Sequence, residues 1–415
     1  MSQGRVVIVG GGVIGACSAY YLQKAGYDVT IVDQASFGQA CSHGNCGLIS
    51  PSHALPLAMP GAVAKTLPMM LKKDAPLRVA PRLDPGLWMW LTRFALRCKE
   101  APMLASAAGR HAILQSSVAH YRSMLAEENI DCEWEDRGAL FVYQTEKGMD
   151  SYEQSNTWLK QFGLGAERLD GAALVEREPA IRPGVAAGAW FYEIDAHLRP
   201  DKLMSGLRAV LERTGVTILE NTKITGITQQ RRIAQAVQTE SGDLAADHIV
   251  LATGALTPKL NKLIGAKVPI QPGKGYSITM PRPGQCPTIP MVFQEHKICV
   301  TPFQSGYRLG STMEFTGYDT TINPTRLGAL KTGAAVYLHE PTCEPVEEEW
   351  YGWRPMTYDG KPIIDRAPAF SNVVVAAGHN MLGLSMGAGT GKLVSEIIAK
   401  DQPHLDVSAY AIDRF

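Results

Sequence analysis

Short unbroken apolar runs alternate with amphipathic ones along the chain, and their order predicts its architecture. Residues 6–9 (VVIV) form an apolar run ended by glycine, as expected of a strand buried on both faces. An alanine-rich run of helical period follows, and 29–32 reads as a second strand. Further strands are predicted at 140–143, 189–192, 216–219 and 247–252, with a helix over 201–213. Residues 86–130 read as helical. Within 87–98, Trp88, Leu91, Phe94 and Ala95 recur at helical spacing, and the aromatics among them are expected in the core. A β-rich block covers 276–280, 298–302 and 307–312. The last section runs from Trp350 to a strand at 373–377 and then into a glycine-rich helix start.

The junction between the first two strands carries chemistry. Gly10, Gly12 and Gly15 form G-x-G-x-x-G between strand and helix, and Asp33 stands eighteen residues after Gly15. In such a unit the first glycine permits a tight turn, the second lets backbone approach a pyrophosphate, and the third lets helix and strand pack closely. Val13 and Ile14 complete the turn, where unpaired N–H groups and the helix dipole favour phosphate. Asp33, followed by Gln34, is placed to accept hydrogen bonds from an adenosine ribose. A bound dinucleotide is therefore expected, and three features select FAD over NAD. One is the loop directly after the second strand, with Ser42, His43, Asn45, Gly47 and Leu48. Another is a strand closing on Ala252-Thr253-Gly254. The third is the C-terminal strand, glycine and helix from Val373 to Gly391, with Gly378, Gly383, Leu384 and Ser385. A helix start near 387–391 is expected to offer amides to the flavin pyrimidine. Ile224 completes the candidate cofactor set.

Composition narrows the picture further. The 415 residues suffice for two domains, and the 40 basic and 40 acidic residues cancel, so no nucleic-acid partner is expected. The eight cysteines form neither a C-x-x-C pair nor a zinc-like cluster, so no metal is expected. The fingerprint begins almost at Met1, which leaves no room for a cleaved signal peptide; reduced thiols and a cytoplasmic location are expected. Residues 55–73 are apolar and Met-rich and end in Lys72 and Lys73, and prolines at 56, 60 and 68 argue against one long helix. They read either as a core-covering loop with a short helix or as a peripheral patch on a membrane surface. Nucleotide-binding pieces at the start, middle and end imply a discontinuous cofactor domain. It is expected over 1–85, 196–264 and 349–415, with a substrate domain over 86–195 and 265–348.

Four further motifs are distinctive. They are Lys274-Gly275-Tyr276-Ser277-Ile278-Thr279, the run from Trp350 to Thr357, Asp359-Gly360-Lys361-Pro362, and Gly378-His379 with Leu382-Gly383. On these the chain resembles, from the fingerprint to the C-terminus, the small subunit of bacterial D-amino acid dehydrogenase, within the D-amino acid oxidase/glycine oxidase class. Residues 84–98 look like that family's helical insertion. The resemblance implies an α/β fold, with a discontinuous Rossmann-like FAD-binding domain and an α+β substrate domain on a mixed or antiparallel sheet. It implies non-covalent FAD and oxidative deamination of a D-amino acid to a 2-oxo acid and ammonia through an imino acid. Hydride would pass from Cα to the flavin, and electrons onward to a quinone-type acceptor at the inner face of the bacterial inner membrane. The family register sets His43 at a non-ligand position, against covalent attachment through His43 or Cys46. Arg354 occupies the arginine of the G-x-R-P motif and is expected to clamp the substrate carboxylate, a task for two parallel fixed donors. Tyr276 is expected to donate to the same carboxylate, and His53 and His379 to touch substrate. His53 stands where many relatives carry Gly-Tyr, which would favour a small polar or cyclic substrate. Alternatives are a glycine, sarcosine or D-proline (or hydroxy-D-proline) oxidase or dehydrogenase, and a flavin subunit of a hetero-oligomeric amine dehydrogenase.

Overall fold

A computed structural model describes residues 2–66, 77–80 and 82–415. Residues 67–73 of the apolar 55–73 stretch lie outside the described residues; before them the chain forms a short helix, Ala62–Thr66.

The strand Arg5–Val9 is central to a six-stranded sheet because every residue after Arg5 is buried. It pairs in parallel with Asp28–Val32 on one side and His248–Leu251 on the other. The order across the sheet is Ile363–Arg366, Val373–Ala377, His248–Leu251, Arg5–Val9, Asp28–Val32 and Thr217–Leu219. All neighbours are parallel except the antiparallel pair formed by Ile363–Arg366 and Val373–Ala377. The helices Val13–Lys24 and Gly383–Ala399 pack together against this sheet, in a core that includes Ala16, Cys17, Leu22, Leu393 and Val394. Strands from the start, middle and end of the chain thus share one parallel sheet, the doubly wound arrangement that the fingerprint implies.

A nine-stranded mixed sheet lies beside it. Its longest strands, Gln271–Met280, Gly306–Phe315 and Glu348–Met356, are antiparallel neighbours. Ile298–Phe303, Met291–Phe293, Ala139–Tyr143, Gly188–Tyr192 and Glu167–Asp170 extend it, and Leu77–Val79 pairs with the end of Gly306–Phe315. The helix Pro324–Ala334 covers one face through Leu327 and Leu330, and Tyr337 stacks on Phe293 with ring centroids 3.9 Å apart. Glu348–Met356 and Leu77–Val79 belong to this sheet, although the division expected from the sequence gives both to the cofactor domain.

The helix Pro85–Arg97 begins where Asp84 accepts a hydrogen bond from Leu87 N at 3.0 Å, with proline in the first turn. Its buried residues are Leu87 and Trp90, packed against Phe315, Met356 and Tyr358. Trp88, expected in the core, is instead 53% exposed. Aromatic residues occur on both sides of this helix, so their spacing alone does not mark its inner face.

Candidate active site

The first glycine turn has the shape a dinucleotide requires. Gly10 has φ +112°, and a Cβ there would lie 2.5 Å from the Ala252 carbonyl oxygen. A Cβ on Gly15 would lie 1.9 Å from the Gly10 carbonyl oxygen. Side chains at these two positions would force helix and strands apart. Gly12 is different: its Cβ would meet only Ser42 Oγ, at 3.4 Å. The backbone surface ahead of it is open to a phosphate.

The other candidate cofactor residues gather around this turn. Asp33 ends the second strand, accepting from Gly11 N at 2.7 Å and Ala35 N at 2.9 Å, with exposed Gln34 beside it. Burial raises the Asp33 carboxyl above its ordinary value. Thr222 N donates to the Asp33 carbonyl, and Ile224 starts the next strand, Ile224–Gln230. Ser42 Oγ accepts from Val13 N at 3.0 Å, so the loop after the second strand reaches the helix start, where Ile14 follows. Further along that loop, Asn45 accepts from Gly47 N at 2.8 Å. Ser385 Oγ donates to the Leu48 carbonyl at 3.0 Å and accepts from Ser50 N at 3.2 Å. Thr253 and Gly254 lie at the end of the strand His248–Leu251, and Gly378 turns the chain out of Val373–Ala377.

The C-terminal helix starts at Gly383, with Leu384 and Ser385 in its first turn. The helix start expected near 387–391 is therefore corrected: those glycines lie inside the helix. A Cβ on Gly391 would stand 2.5 Å from the Cys17 backbone, and one on Gly387 would stand 2.4 Å from Tyr121 Oη. They let helices approach closely, and only residues at 383–385 are placed to present amides.

Arg354 faces this assembly from the nine-stranded sheet. It stands opposite Gly273 in the strand register, so Gly273, Gly275, Ser277 and Arg354 share a face. Its guanidinium lies over Gly275, where a Cβ would be 2.1 Å from Nη1. Nη1 donates to the Thr312 carbonyl at 2.7 Å. Among the described residues no carboxylate lies within ion-pair distance of Arg354. Its electrostatic neighbours include the thiols of Cys41, Cys46 and Cys299. Thr312 and Ser311 have φ of 53° and 118°, at an irregularity in the pairing of Gly306–Phe315 with Gln271–Met280. Such backbone in a β-branched residue is strained, and strain of this kind collects at ligand sites. The buried hydroxyls of Thr312 and Ser277 have no hydrogen-bond partner, so both can meet a polar ligand. Two residues beyond Arg354, Met356 lines a small, largely apolar cavity with Leu57, Ala58, Phe94, Tyr358 and Leu382.

The other expected catalytic residues fall elsewhere. Tyr276 pairs with Tyr351, three positions from the Gly273–Arg354 pair, and so projects from the opposite face of the sheet. Its hydroxyl donates to Glu314 at 2.8 Å, and Glu314 also binds Arg326. The expected sharing of one carboxylate by Arg354 and Tyr276 is corrected by this register. His379 is 2% exposed, with Nε2 3.0 Å from Thr390 Oγ1, and burial pushes it down to about 3. The His53 ring packs against Phe141, and burial, then Arg110, pushes it down to about 4. His43 Nε2 pairs with Glu348 at 2.7 Å.

Two buried ionisable side chains hold the His53 segment, and sequence reasoning missed both. Arg110 donates to the carbonyls of His53, Ala54 and Gly360 at 2.7 to 2.8 Å. Asp195 accepts from Ser52 Oγ at 2.7 Å and Ser52 N at 3.1 Å.

A family model described as "FAD dependent oxidoreductase" matches residues 5–397. The chain belongs to that family. It is 32% identical to a D-amino acid dehydrogenase of Granulibacter bethesdensis, over 99% of both chains. It is 31% identical to one of Vibrio vulnificus, over 98% of this chain and all of the other. Among solved structures it is similar to glycine oxidase from Geobacillus kaustophilus, with TM-score 0.78 and 22% identity over the whole of both chains. L-proline dehydrogenase from P. horikoshii gives TM-score 0.76 at 18% identity, over 100% and 98% of the two chains. The open backbone at Gly12, the carboxylate of Asp33 and the helix start at Gly383 fit the FAD that this family uses.

Proposed function

We propose that the protein is a D-amino acid dehydrogenase: it oxidises the Cα–N bond of a D-amino acid and passes the electrons to a quinone-type acceptor. The observation that carries this reading is Arg354, a guanidinium facing the cofactor loops with no carboxylate partner among the described residues. An uncompensated cation at such a place is suited to an anionic ligand, and a fork of parallel donors matches a carboxylate. FAD, when bound, supplies the two-electron acceptor for a hydride from the substrate Cα. Arg354 fixes the carboxylate, Thr312 and Ser277 offer hydroxyls, and the apolar wall at Met356 takes the side chain. Burial makes His53 and His379 weak bases, and His379 is already engaged with Thr390, so neither is assigned the part of a required base. The substrate amine reaches its neutral form through desolvation beside these apolar walls. Water then hydrolyses the imino acid to the 2-oxo acid and ammonia. The relatives named D-amino acid dehydrogenase support the substrate class.

We further place the electron acceptor at a membrane. No helix among the described residues is long and apolar enough to cross one. The helix Pro85–Arg97 exposes Trp88, Met89 and Leu96, and carries arginines but no acidic residue. That composition suits peripheral contact with an anionic surface.

Anaerobic bleaching of the bound flavin by D- and L-amino acids, glycine, sarcosine and hydroxy-D-proline tests the reading. Bleaching by D-amino acids, with reoxidation by a quinone analogue faster than by air, is expected. Preference for glycine or sarcosine with rapid peroxide release would make the protein an oxidase. No bleaching of the lone chain by any of them would favour a partner-dependent flavin subunit.

A further inference from the structure

Besides the His43–Glu348 pair, the loop after the second cofactor strand is fastened to the nine-stranded sheet at three points. Arg308, 1% exposed, donates to the carbonyls of His43 and Asn45 at 3.0 and 2.7 Å. Thr301 Oγ1 donates to the Cys46 carbonyl at 2.6 Å. The third point is the Cys46 thiol, which fills the place of the side chain that Gly310 lacks. A Cβ on Gly310 would stand 2.5 Å from Cys46 Sγ. Gly310 is directly opposite Cys299 in the antiparallel register. Residues so opposed share a sheet face, with Cβ positions about 5 Å apart. Cys299 Sγ lies 3.7 Å from Thr301 Oγ1, the same hydroxyl that holds the Cys46 carbonyl. Two thiols from distant parts of the chain thus come together between the cofactor loop and the sheet that bears Arg354, Cys46 beside Gly310 and Cys299 directly opposite it.

We propose that Cys46 and Cys299 are a redox-active dithiol, oxidised reversibly by peroxide to a disulfide that ties the cofactor loop to the substrate sheet. The pairing assigns different roles to the two sulfurs. Contact with Cys299, and then the charges of Arg354 and Arg308, pull the Cys46 thiol below its ordinary value against the effect of burial. The same contact, with burial, holds Cys299 protonated. Cys46 is also the more accessible, since Cys299 is only 6% exposed. Thiolate character and access decide which cysteine reacts first.

In the first step the Cys46 thiolate attacks one oxygen of hydrogen peroxide. An S–O bond forms, the O–O bond breaks, and the departing hydroxide takes a proton to become water. In the second, the Cys299 sulfur displaces hydroxide from the Cys46 sulfenic acid. An S–S bond forms, the S–O bond breaks, and the Cys299 proton leaves with the hydroxide as a second water. The two thiols lose two electrons and two protons, and one peroxide becomes two waters. Two of the three fastenings are hydrogen bonds and the third is a packing contact; the disulfide makes the third covalent. Oxidation should therefore slow the exchange of FAD past the loop 42–48.

The test is stepwise peroxide treatment of the holoenzyme, followed by non-reducing peptide mapping. The expected result is a Cys46–Cys299 linked peptide, with two of the eight thiols lost and both recovered with dithiothreitol. In Cys299→Ser the linkage should vanish and dimedone should trap a sulfenic acid at Cys46. Mapping of the unaltered protein decides the matter even if that variant folds poorly. Free alkylation of both cysteines after peroxide doses that oxidise exposed methionines would overturn the proposal. So would linkage of Cys46 to Cys41 instead.

Discussion

Arg354 is anchored through one nitrogen to the Thr312 carbonyl, and the thiols of Cys41 and Cys46 in the cofactor loop lie within reach of its charge. Losing a buried charged partner costs roughly 2–5 kcal/mol in comparable complexes. Arg354→Ala should therefore lower kcat/KM about 100-fold or more, mainly through KM, with FAD content unchanged. Arg354→Lys should recover only part, because an ammonium offers a point charge in place of two parallel donors. Steady-state kinetics with a dye acceptor would measure both, and an unchanged KM in the alanine variant would remove the clamp. Asp195 makes a different prediction, about pH. Burial pushes its carboxyl up to about 7, against hydrogen bonds from Ser52. The folded state then keeps a proton that the unfolded chain releases near pH 4. Between about pH 4 and 7 folding takes up that proton, so this contribution to stability falls as pH rises and levels off above 7. The span is up to about 4 kcal/mol at 1.36 kcal/mol per unit. Asp195→Asn keeps an acceptor for Ser52 and cannot ionise. Its Tm relative to the parent should rise steadily from pH 5 to 7.5, and parallel curves would show that Asp195 carries no such penalty.

At the scale of elements, two sets of glycines do opposite work. Gly12 leaves space open ahead of a helix, whereas Gly391 closes the space between two helices. Gly12→Val should yield folded protein with little bound flavin, read as the ratio of flavin to protein absorbance. Gly391→Val should push Gly383–Ala399 off Val13–Lys24 and cost about 1–3 kcal/mol of stability, read as a lower Tm. The sequence does not separate these roles by composition, which is why the run at 387–391 reads as a helix start. What was legible is where local pattern and fold agree. The apolar runs at 6–9 and 373–377 are central or buried strands, and the fingerprint lies between strand and helix as its spacing requires. Strand faces were less legible. Arg354 and Tyr276 belong to adjacent motifs on paired strands, and only the register shows that they point apart. Arg308, Thr301 and Asp195 gave no signal because their partners are remote in sequence.

At the scale of the whole molecule, the helix Pro85–Arg97 joins a buried cluster to an exposed apolar surface. The helix Pro85–Arg97 packs Leu87 and Trp90 against Met356 and Phe315, and its Phe94 lines the small cavity together with Met356. Its other side carries Trp88 and Met89 at about half exposure and Leu96 at 63%, and Leu83 just before it is fully exposed. Arg93 and Lys99 are exposed among them. Single exposed apolar residues are ordinary, but several on one helix face with basic neighbours mark an interaction surface. A membrane there would set a lipid-dissolved quinone beside the helix whose inner side borders the cavity at Met356, the proposed place of the substrate side chain. Trp88→Ser, Met89→Ser and Leu96→Ser combined should reduce binding to anionic lipid vesicles at least tenfold, since a loss of about 1.4 kcal/mol already does so. The same protein should keep its activity with a water-soluble dye and lose it selectively with a membrane-embedded quinone. Raised salt should weaken vesicle binding of the parent through Arg93 and Lys99. If the triple variant sediments with vesicles as the parent does, the contact lies elsewhere on the chain. Electrons would then leave the site by a route that does not pass this helix.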